Sequence, residues 1–472
     1  MVNKAFISVL WSGFERFSVS GIQFVITIII ARILSPSDFG LIAMLTIFYA
    51  FSQALIDSGL SAALIQKQDC KQEDYNSVYF FNIIISLLLY LILFISASQI
   101  ADFYNNDLLV LLVKVYSLNI VINSLTIVQR TIMMKKLMFK QLSIISFVSS
   151  IIAGIFAVLF ALKGYSYWAL VIQMLISSII SGLLILIFSK WKPSFKFSQK
   201  GFRSLFNFGM PILFISIINS IYNNIYSLFI GAKYSANDLG LYSRAYSFSS
   251  FVPVNFGDSI VRALFPIFSR LQNNLEELKK QKLMGLHIMM IFVIPINMFI
   301  IVNAEDVIIL LLGENWIDMT PFLQILCFSN LWYPLINLNN NTFKVLGKTK
   351  FLFKSELFKK FVAISILLGT LNFGIITMVV GQLIYSVLDV SISLILAKKI
   401  INISIRDQLK QIYPLIVFSS LSLVFSFLIT RNINGLFLKL IISGVIYIVL
   451  YFIMEILNRK DIKILIYNKL NK

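Results

Sequence analysis

Long runs of apolar residues, separated by short polar segments, repeat along almost the whole chain. Most are roughly 17 to 25 residues long, the length that a helix needs to cross a hydrocarbon core of about 30 Å. We therefore predict fourteen transmembrane helices, with ends placed to within about 4 residues. They cover residues 8–33, 41–65, 78–99, 107–128, 143–162, 167–189, 205–231, 241–265, 284–302, 319–338, 356–372, 375–397, 411–429 and 435–457.

Two of these segments differ from the others. The first is too long for the apolar core of a signal peptide, so we expect it to be retained as a span. The tenth contains several polar residues and prolines, which predicts that it is broken or lines a wet cavity. These residues are Thr320, Pro321, Gln324, Ser329, Asn330 and Pro334.

Composition supports the assignment to the membrane. The 472 residues are 58% hydrophobic and 13% charged, with a mean hydropathy of +0.87. Such a chain is too apolar for a water-soluble protein. We predict an all-α membrane protein.

Charge then predicts the orientation, because positively charged residues near the ends of spans stay on the cytoplasmic side. With a cytoplasmic N-terminus, most of the 40 basic residues lie in cytoplasmic segments and both termini are cytoplasmic. The outer segments then carry only Arg32, Lys163, Lys233, Arg431 and Lys439. Topology and attraction to anionic lipid headgroups account for the net charge of +19, so we expect membrane lipids and no nucleic acid as partners.

One short motif occurs twice. The stretch ARILSPSDFGL at residues 31–41 returns as GAKYSANDLGL at residues 231–241, and each copy lies at an outer turn between two spans. Ser and Asp at such a turn cap the following helix, and Gly permits a close backbone approach. Six spans separate the copies, which predicts a parallel repeat. We expect two six-helix bundles at residues 1–200 and 201–400, followed by two further helices and a tail at residues 401–472.

These residues carry a resemblance to a known family. The first motif, the stretch Asp57-Ser-Gly59-Leu-Ser-Ala-Ala-Leu-Ile-Gln66, the triplet Val128-Gln129-Arg130 and the stretch Leu311-Leu-Gly313-Glu-Asn-Trp316 resemble Wzx-type polysaccharide exporters of bacterial envelopes. Their superfamily also contains multidrug extruders and lipid II flippases. The resemblance implies a twelve-helix core with two C-terminal helices in the bacterial inner membrane. It also implies that an undecaprenyl-diphosphate-linked oligosaccharide, an O-antigen or exopolysaccharide unit, moves from the inner to the outer leaflet. The polymerase and chain-length machinery of lipopolysaccharide synthesis are then potential partners.

Four basic residues within predicted spans are candidates for binding the diphosphate: Arg16, Lys114, Arg244 and Arg262. Ionisable residues inside a membrane mark functional sites by default, and Arg suits phosphate through its forked donors. Each has an alternative explanation. Arg262 follows Asp258 by one helical turn, so an ion pair is equally open. Arg244 and Lys114 can instead extend their side chains to the interface.

Three acidic residues within spans, Asp57, Asp258 and Asp389, are candidates for coupling transport to a proton or sodium ion. A carboxylate beside a cavity can change its protonation as access alternates. Hydrogen bonding between helices is the alternative, and the Ser and Ala neighbours of Asp57 favour it there.

Sugar recognition needs amides and aromatic rings. The seventh span supplies Asn219, Tyr222, Asn223 and Tyr226, in which the two amides share one helix face and the two rings share another. The tenth span adds Trp332, Tyr333, Asn337, Asn339, Asn340 and Asn341. Interfacial anchoring and hydrogen bonding between helices are the alternatives.

Signs of an enzyme are weak. His287 has no metal-binding context, Cys70 and Cys327 lie in different regions, and Gly347-Lys348-Thr349 lacks the earlier glycine of a nucleotide loop. We predict a transporter that needs no cofactor. An ion-coupled exporter of small molecules is the alternative within the same fold, and a membrane glycan polymerase is disfavoured because no large outer loop is present.

Overall fold

The computed structural model describes residues 19–433 and 435–458, and these residues form helices joined by short connections. The helices are α1 (Val19–Ala31), α2 (Pro36–Asp57), α3 (Leu60–Gln66), α4 (Gln72–Ile95), α5 (Ala97–Phe103), α6 (Leu108–Tyr116), α7 (Leu118–Ser124), α8 (Ile127–Lys135), α9 (Phe139–Leu162), α10 (Trp168–Ser189), α11 (Gln199–Lys233), α12 (Ala236–Arg270), α13 (Leu275–Val302), α14 (Ala304–Leu311), α15 (Thr320–Asn330), α16 (Tyr333–Val345), α17 (Thr349–Thr370), α18 (Ile375–Ile401), α19 (Ile405–Lys410), α20 (Tyr413–Thr430) and α21 (Leu436–Asn458). A 3₁₀-helix, Glu314–Met319, precedes α15.

The helices confirm the prediction of an all-α membrane protein. Ten helical segments in the described part of the chain are long and apolar enough to cross a membrane. An eleventh span results if Leu108–Ser124 and Ile127–Lys135, which meet at 41°, are counted together. All eleven coincide with predicted spans, so the apolar pattern located most of the membrane-crossing helices.

The other three predicted spans also coincide with helices but do not meet the same criteria. Helix α1 is described only from Val19, and the rest of its predicted span lies outside the described residues. The tenth predicted span is broken between α15 and α16, where Pro334 enters the first turn of α16. Helix α17 carries several charged residues. The total of fourteen spans therefore stays a prediction.

The chain divides into two compact units, one ending at Ser243 and the other beginning at Arg244. We refer to them as the N-terminal unit and the C-terminal unit. The boundary falls inside α12, so the second copy of the repeated motif belongs to the N-terminal unit. The predicted division at residues 200 and 400 stays a prediction.

Both copies of the motif form the same helix cap. In the first copy, the Ser35 backbone N–H and hydroxyl donate to Asp38 Oδ2 over 2.9 and 2.7 Å. In the second copy, the Ser235 backbone N–H and hydroxyl donate to Asp238 Oδ2 over 3.2 and 2.7 Å. These bonds satisfy groups at the start of each helix and place a negative charge at the positive end of the helix dipole.

The two caps also touch one another within the N-terminal unit. A Cβ added to Gly40 would lie 1.7 Å from the carbonyl oxygen of Ala236, and a Cβ added to Gly240 would lie 1.8 Å from that of Pro36. Position 40 thus meets position 236, and position 240 meets position 36, as in a contact related by a two-fold axis. The two copies of the motif thus form one reciprocal backbone contact that only glycine permits.

In the C-terminal unit, the last helix is bound to α13 at a proline. Pro295 lacks an N–H, which leaves the carbonyl of Ile291 without its usual helical partner. Tyr451 donates its hydroxyl to that carbonyl over 3.1 Å, and Tyr447 donates to the carbonyl of Pro295 over 2.9 Å. His287 Nε2 also lies 2.8 Å from Glu455 Oε1, which gives this lone histidine a structural role.

Candidate functional site

A charged cavity of about 390 Å³ lies in the C-terminal unit. We call it the charged recess. Helix α12 and helix α16 provide its walls: Asp258, Val261, Arg262, Phe265, Pro266, Asn337, Asn341 and Lys344. Polar and charged side chains from two apolar helices thus share one cavity.

Helical spacing explains why these residues share a wall. Asp258 and Arg262 are separated by four residues on α12, while Asn337, Asn341 and Lys344 follow at steps of four and three on α16. Residues at such steps project from one face of a helix. The break before Tyr333 starts a new helix, so the register of α16 is independent of that of α15.

Asp258 joins the two helices that line the recess. Its Oδ1 accepts a hydrogen bond from the Tyr333 hydroxyl over 2.7 Å and another from Asn337 Nδ2 over 2.9 Å. Hydrogen bonds to a charged group are stronger than neutral ones, so this contact holds α16 in register against α12. It also joins residues that the sequence named on two separate spans.

The cationic side chains of the recess are more accessible. Arg262 and Lys344 are both exposed, and Arg262 Nη2 lies 3.4 Å from the hydroxyl of Ser259. Asn341 is 6% exposed, and its Nδ2 has no hydrogen-bond partner among the described residues. Two cations and an amide donor outweigh one carboxylate, so the recess suits an anion with several acceptor oxygens.

The remaining basic candidates lie elsewhere. Arg16 falls outside the described residues. Lys114 Nζ sits over the ring of Phe94, 4.7 Å from its centroid, which is the geometry of a cation–π contact. Arg244 is half-buried near the start of α12, two turns beyond the second cap. Neither Lys114 nor Arg244 lines the charged recess.

The predicted sugar residues of the seventh span lie on α11, in the N-terminal unit. Asn219 and Asn223 are exposed, whereas Tyr222 and Tyr226 are half-buried. Tyr226 stacks on Tyr242 with ring centroids 6.3 Å apart and planes inclined by 18°. The amides are thus exposed and one ring packs against α12, while the role of these residues in sugar recognition stays a prediction.

Asp57 takes part in contacts between helices. It is the last residue of α2 and accepts a hydrogen bond from the Ser61 hydroxyl, to which Thr131 of α8 donates over 3.1 Å. Ser58 and Gly59 then adopt positive φ angles of 46° and 67°, which end α2. This arrangement agrees with the helix-packing alternative, and the role in ion coupling stays a prediction.

Asp389 is paired with an internal cation. Its Oδ1 lies 2.7 Å from Nζ of Lys359, which also lies 3.1 Å from Glu356 Oε1. Lys359 is 1% exposed, so its ammonium is removed from solvent and neutralised by two carboxylates. A coupling ion at Asp389 would have to compete with this ammonium.

Comparison with protein families identifies the chain. A model described as polysaccharide biosynthesis protein matches residues 29–321, which is more than half of the sequence. The chain belongs to this family. The resemblance to Wzx-type exporters is thereby confirmed at the level of the family.

A curated relative of this polysaccharide biosynthesis protein is similar over most of its length. The lipopolysaccharide biosynthesis protein WzxC of Escherichia coli (strain K12) is 25% identical over 433 residues, which cover 90% of this chain and 87% of WzxC. The match therefore includes both units.

Solved structures show the same fold. The lipid II flippase MurJ, in an inward closed conformation, superposes with a TM-score of 0.72 at 15% identity over 100% of this chain and 99% of MurJ. An inward-facing multidrug resistance transporter of the MATE family gives 0.62 at 14% identity over 83% of this chain and 98% of the transporter. This family member thus has the helical transporter fold that the sequence predicted.

The sequence missed one charged residue of the recess in this polysaccharide biosynthesis protein. Lys344 was assigned to a cytoplasmic connection, whereas it lies in the last turn of α16 and lines the recess with Asn337 and Asn341. The spacing of these three residues was a usable indication, because it continues the polar face of α16 by one more turn.

Proposed function

We propose that this polysaccharide biosynthesis protein is a flippase for an undecaprenyl-diphosphate-linked oligosaccharide. It moves the repeat unit of an O-antigen or exopolysaccharide from the inner to the outer leaflet by alternating access. Family membership, the relative WzxC and the flippase fold support this function. The chain is thus a transporter, and we infer that it catalyses no reaction of its own.

The observation that carries the proposal is the charged recess. A diphosphate cannot enter hydrocarbon unaided, because each charge loses its hydration. Arg262, Lys344 and Asn341 offer donors in one cavity of about 390 Å³, and these donors replace the lost water. Asp258 lowers the net positive charge of the recess. The diphosphate can therefore be released after it has bound.

The proposed orientation places the recess in the cytoplasmic half of the membrane. If both termini are cytoplasmic, α12 runs from the outer side at Ala236 to the cytoplasmic side at Arg270. Asp258 and Arg262 then lie in the inner part of the membrane. A cargo assembled on the cytoplasmic face would therefore meet the recess soon after entry.

The other predicted roles belong to the same proposal. Arg16, Lys114 and Arg244 are further candidates for diphosphate contacts, and Asn219, Tyr222, Asn223 and Tyr226 for contacts with sugars. Asp57, Asp258 and Asp389 are candidates for ion coupling. Residues 1–200 and 201–400 would be the two moving bundles in the bacterial inner membrane. A polymerase and chain-length machinery would receive the cargo on the outer leaflet.

The MATE-like fold keeps a second function open. An ion-coupled exporter of small molecules shares this architecture, and it would act in the absence of polyprenyl lipid. The charged recess favours the flippase, since exporters of cationic drugs gain nothing from two cationic side chains at the cargo site.

Reconstitution of the purified full-length chain tests the proposal. Vesicles would contain a fluorescent undecaprenyl-diphosphate-linked oligosaccharide, and a lectin outside would report the glycans that cross. We expect movement at least about tenfold faster than in protein-free vesicles. A parallel set without polyprenyl lipid would contain a cationic dye. Movement of the dye alone, or of neither probe, would overturn the flippase function.

A further inference from the structure

The N-terminal unit contains a second polar cavity, of about 320 Å³, to which neither the sequence nor the family match assigns a role. We call it the neutral cavity. Helices α1, α2, α7, α9 and α10 line it, and its polar groups include Gln23, Thr27, Asn119, Ser150, Gln173 and Ser177. Tyr49 adds an aromatic ring to the wall. Among the described residues, the wall contains amides and hydroxyls but no charged side chain.

The depth of the neutral cavity makes its polarity unusual. Tyr49 follows Pro36 by thirteen residues along α2, which corresponds to about 20 Å from the start of that helix. Gln173 follows Trp168 by five residues along α10, or about 8 Å. The wall therefore lies at the level of the hydrocarbon, where polar groups without partners destabilise a protein.

One buried amide donor in this wall lacks a partner among the described residues. Asn119 is 1% exposed, and its Oδ1 accepts a hydrogen bond from Asn123 Nδ2 over 2.8 Å. Asn123 Nδ2 also lies 2.9 Å from the Tyr49 hydroxyl. Nδ2 of Asn119 has no hydrogen-bond partner among the described residues. A buried donor beside a cavity indicates that an acceptor other than the described residues completes the site.

The size and chemistry of the neutral cavity restrict the occupant. At about 30 Å³ per water molecule, a volume of 320 Å³ holds roughly ten waters. One pyranose ring with its hydroxyls displaces about six of these. A phosphate would lose its hydration without meeting a cation among the described wall residues. A sugar can exchange its hydroxyl bonds with water for bonds with amides and serines.

We propose that the neutral cavity is a monosaccharide subsite that binds one sugar of the transported glycan. Donor and acceptor groups stand on several sides, and the ring of Tyr49 offers an apolar face to the C–H groups of the sugar. This inference rests on the proposed function for the identity of the cargo. It adds a second contact that recognises the glycan separately from the diphosphate.

A matched pair of variants tests the subsite. Gln173→Met with Ser177→Ala removes two polar groups of the wall while nearly keeping their volume. Ser149→Ala with Ser181→Ala is the control, because both hydroxyls donate to carbonyls of their own helices, at 2.6 Å to Ile145 and 3.2 Å to Ser178. The probes are the host's undecaprenyl-diphosphate-linked oligosaccharide and undecaprenyl diphosphate without a sugar.

We expect the cavity variant to lower the transport rate of the glycan-linked lipid by about tenfold, as for the loss of two or three hydrogen bonds. Its transport of the sugar-free lipid should change less than twofold, and the control should transport both lipids at the wild-type rate. Equal losses for both lipids would overturn the subsite, as would wild-type transport of both. Wild-type transport of both lipids would assign the cavity to water alone, whereas equal losses would assign it a role that does not depend on the sugar.

A second readout does not depend on transport. Ser177→Cys, placed in a chain whose Cys70 and Cys327 are replaced by Ser, is labelled with a neutral maleimide. We expect the glycan-linked lipid to slow labelling at least about fivefold and the sugar-free lipid to leave it unchanged. If the protein moves neither lipid but shows this difference, the flippase function fails and the sugar subsite remains. Equal protection by both lipids, or by neither, would overturn the subsite.

Discussion

The charged recess and the neutral cavity are similar in size and opposite in chemistry. The recess, of about 390 Å³, has Arg262, Lys344 and Asp258 in its wall, whereas the cavity, of about 320 Å³, has amides, hydroxyls and Tyr49. In the recess a carboxylate fixes the arrangement, whereas the described wall of the cavity contains no carboxylate. A membrane protein can thus provide two polar sites that select different parts of one amphipathic cargo.

This difference follows from the kind of hydration that each site must replace when its ligand leaves water. Phosphate oxygens need full charges or several strong donors when they leave water, since charge carries a large hydration energy. Sugar hydroxyls need only neutral partners in the right directions. Separate sites for the two groups would let the protein keep the diphosphate contact constant while the glycan changes.

The largest expected effect is at Arg262. Arg262→Ala should lower the transport rate of a diphosphate-linked lipid by at least about tenfold, because a bond to a charged group contributes about 1.5–3 kcal/mol. Arg270→Ala is the control, since Arg270 is exposed on the same helix but does not line the recess. Rates come from the vesicle assay with either lipid. Wild-type transport by Arg262→Ala would remove the phosphate role of the recess.

The second-largest effect should come from ionic strength, which should weaken binding at the recess more than at the neutral cavity. Between 0.05 and 0.5 M salt, where the screening length shrinks from roughly 14 to 4 Å, binding of a short-chain prenyl diphosphate should weaken several-fold. The sugar-bearing headgroup, freed from its lipid, should slow maleimide labelling of Ser177→Cys. The extent of this protection should change less than twofold over the same salt range. Equal salt dependence of both measurements would show that the sites do not differ in charge.

Asp258→Asn should act in the opposite direction to Arg262→Ala. An Asn oxygen can still accept from Tyr333 and Asn337, so we expect the folded arrangement to remain. Loss of the negative charge should raise the affinity for a prenyl diphosphate about two- to fivefold. Titration of the purified variant measures this. A lower affinity would mean that Asp258 holds the recess open chiefly through its charge.

The smallest expected effects concern stability. Tyr333→Phe removes the 2.7 Å bond to Asp258 and should lower the free energy of unfolding by about 1–3 kcal/mol. Asn119→Leu removes a donor that has no partner among the described residues, and it also removes the acceptor for Asn123 Nδ2. Because Asn123 Nδ2 keeps its 2.9 Å contact with the Tyr49 hydroxyl, we expect the free energy of unfolding to change by less than about 1 kcal/mol. Denaturation in detergent compares the two variants. A large loss for Asn119→Leu would indicate a structural role for this amide.

The sequence predicted most of the polar residues that line the recess, but not all of them. Asp258 and Arg262 were found because charged residues are rare inside membrane spans, and Asn337 and Asn341 because amides cluster on the tenth span. Their convergence could not be predicted, since it depends on how α16 packs against α12. Lys344 was missed because it follows the apolar segment and has the composition of a connection.

The neutral cavity was not predicted at all. Its groups come from five helices, and each one alone is a Ser, Thr, Asn or Gln of a kind common in membrane helices. No spacing within one helix distinguishes Ser150, which lines the cavity, from Ser149, which bonds its own helix. Only the rotation of each helix in the packed unit separates these neighbours.

The sequence was enough to predict that the chain lies in a membrane, where its helices run and which turns carry the repeated cap. Apolar runs of membrane length require helices, because a backbone in hydrocarbon must satisfy its own hydrogen bonds. The motif with Ser, Asp and Gly at fixed positions forms a capped turn in both of its copies. These properties depend on residues close together in the chain.

Only the tertiary structure decided which distant groups meet. It placed Gly40 against Ala236 and Gly240 against Pro36, joined Asp258 to Tyr333, and gathered uncharged side chains of five helices around one cavity. The physical reason is that a helix fixes the directions of its own side chains, whereas contacts between helices depend on crossing, rotation and close packing along the whole of each surface.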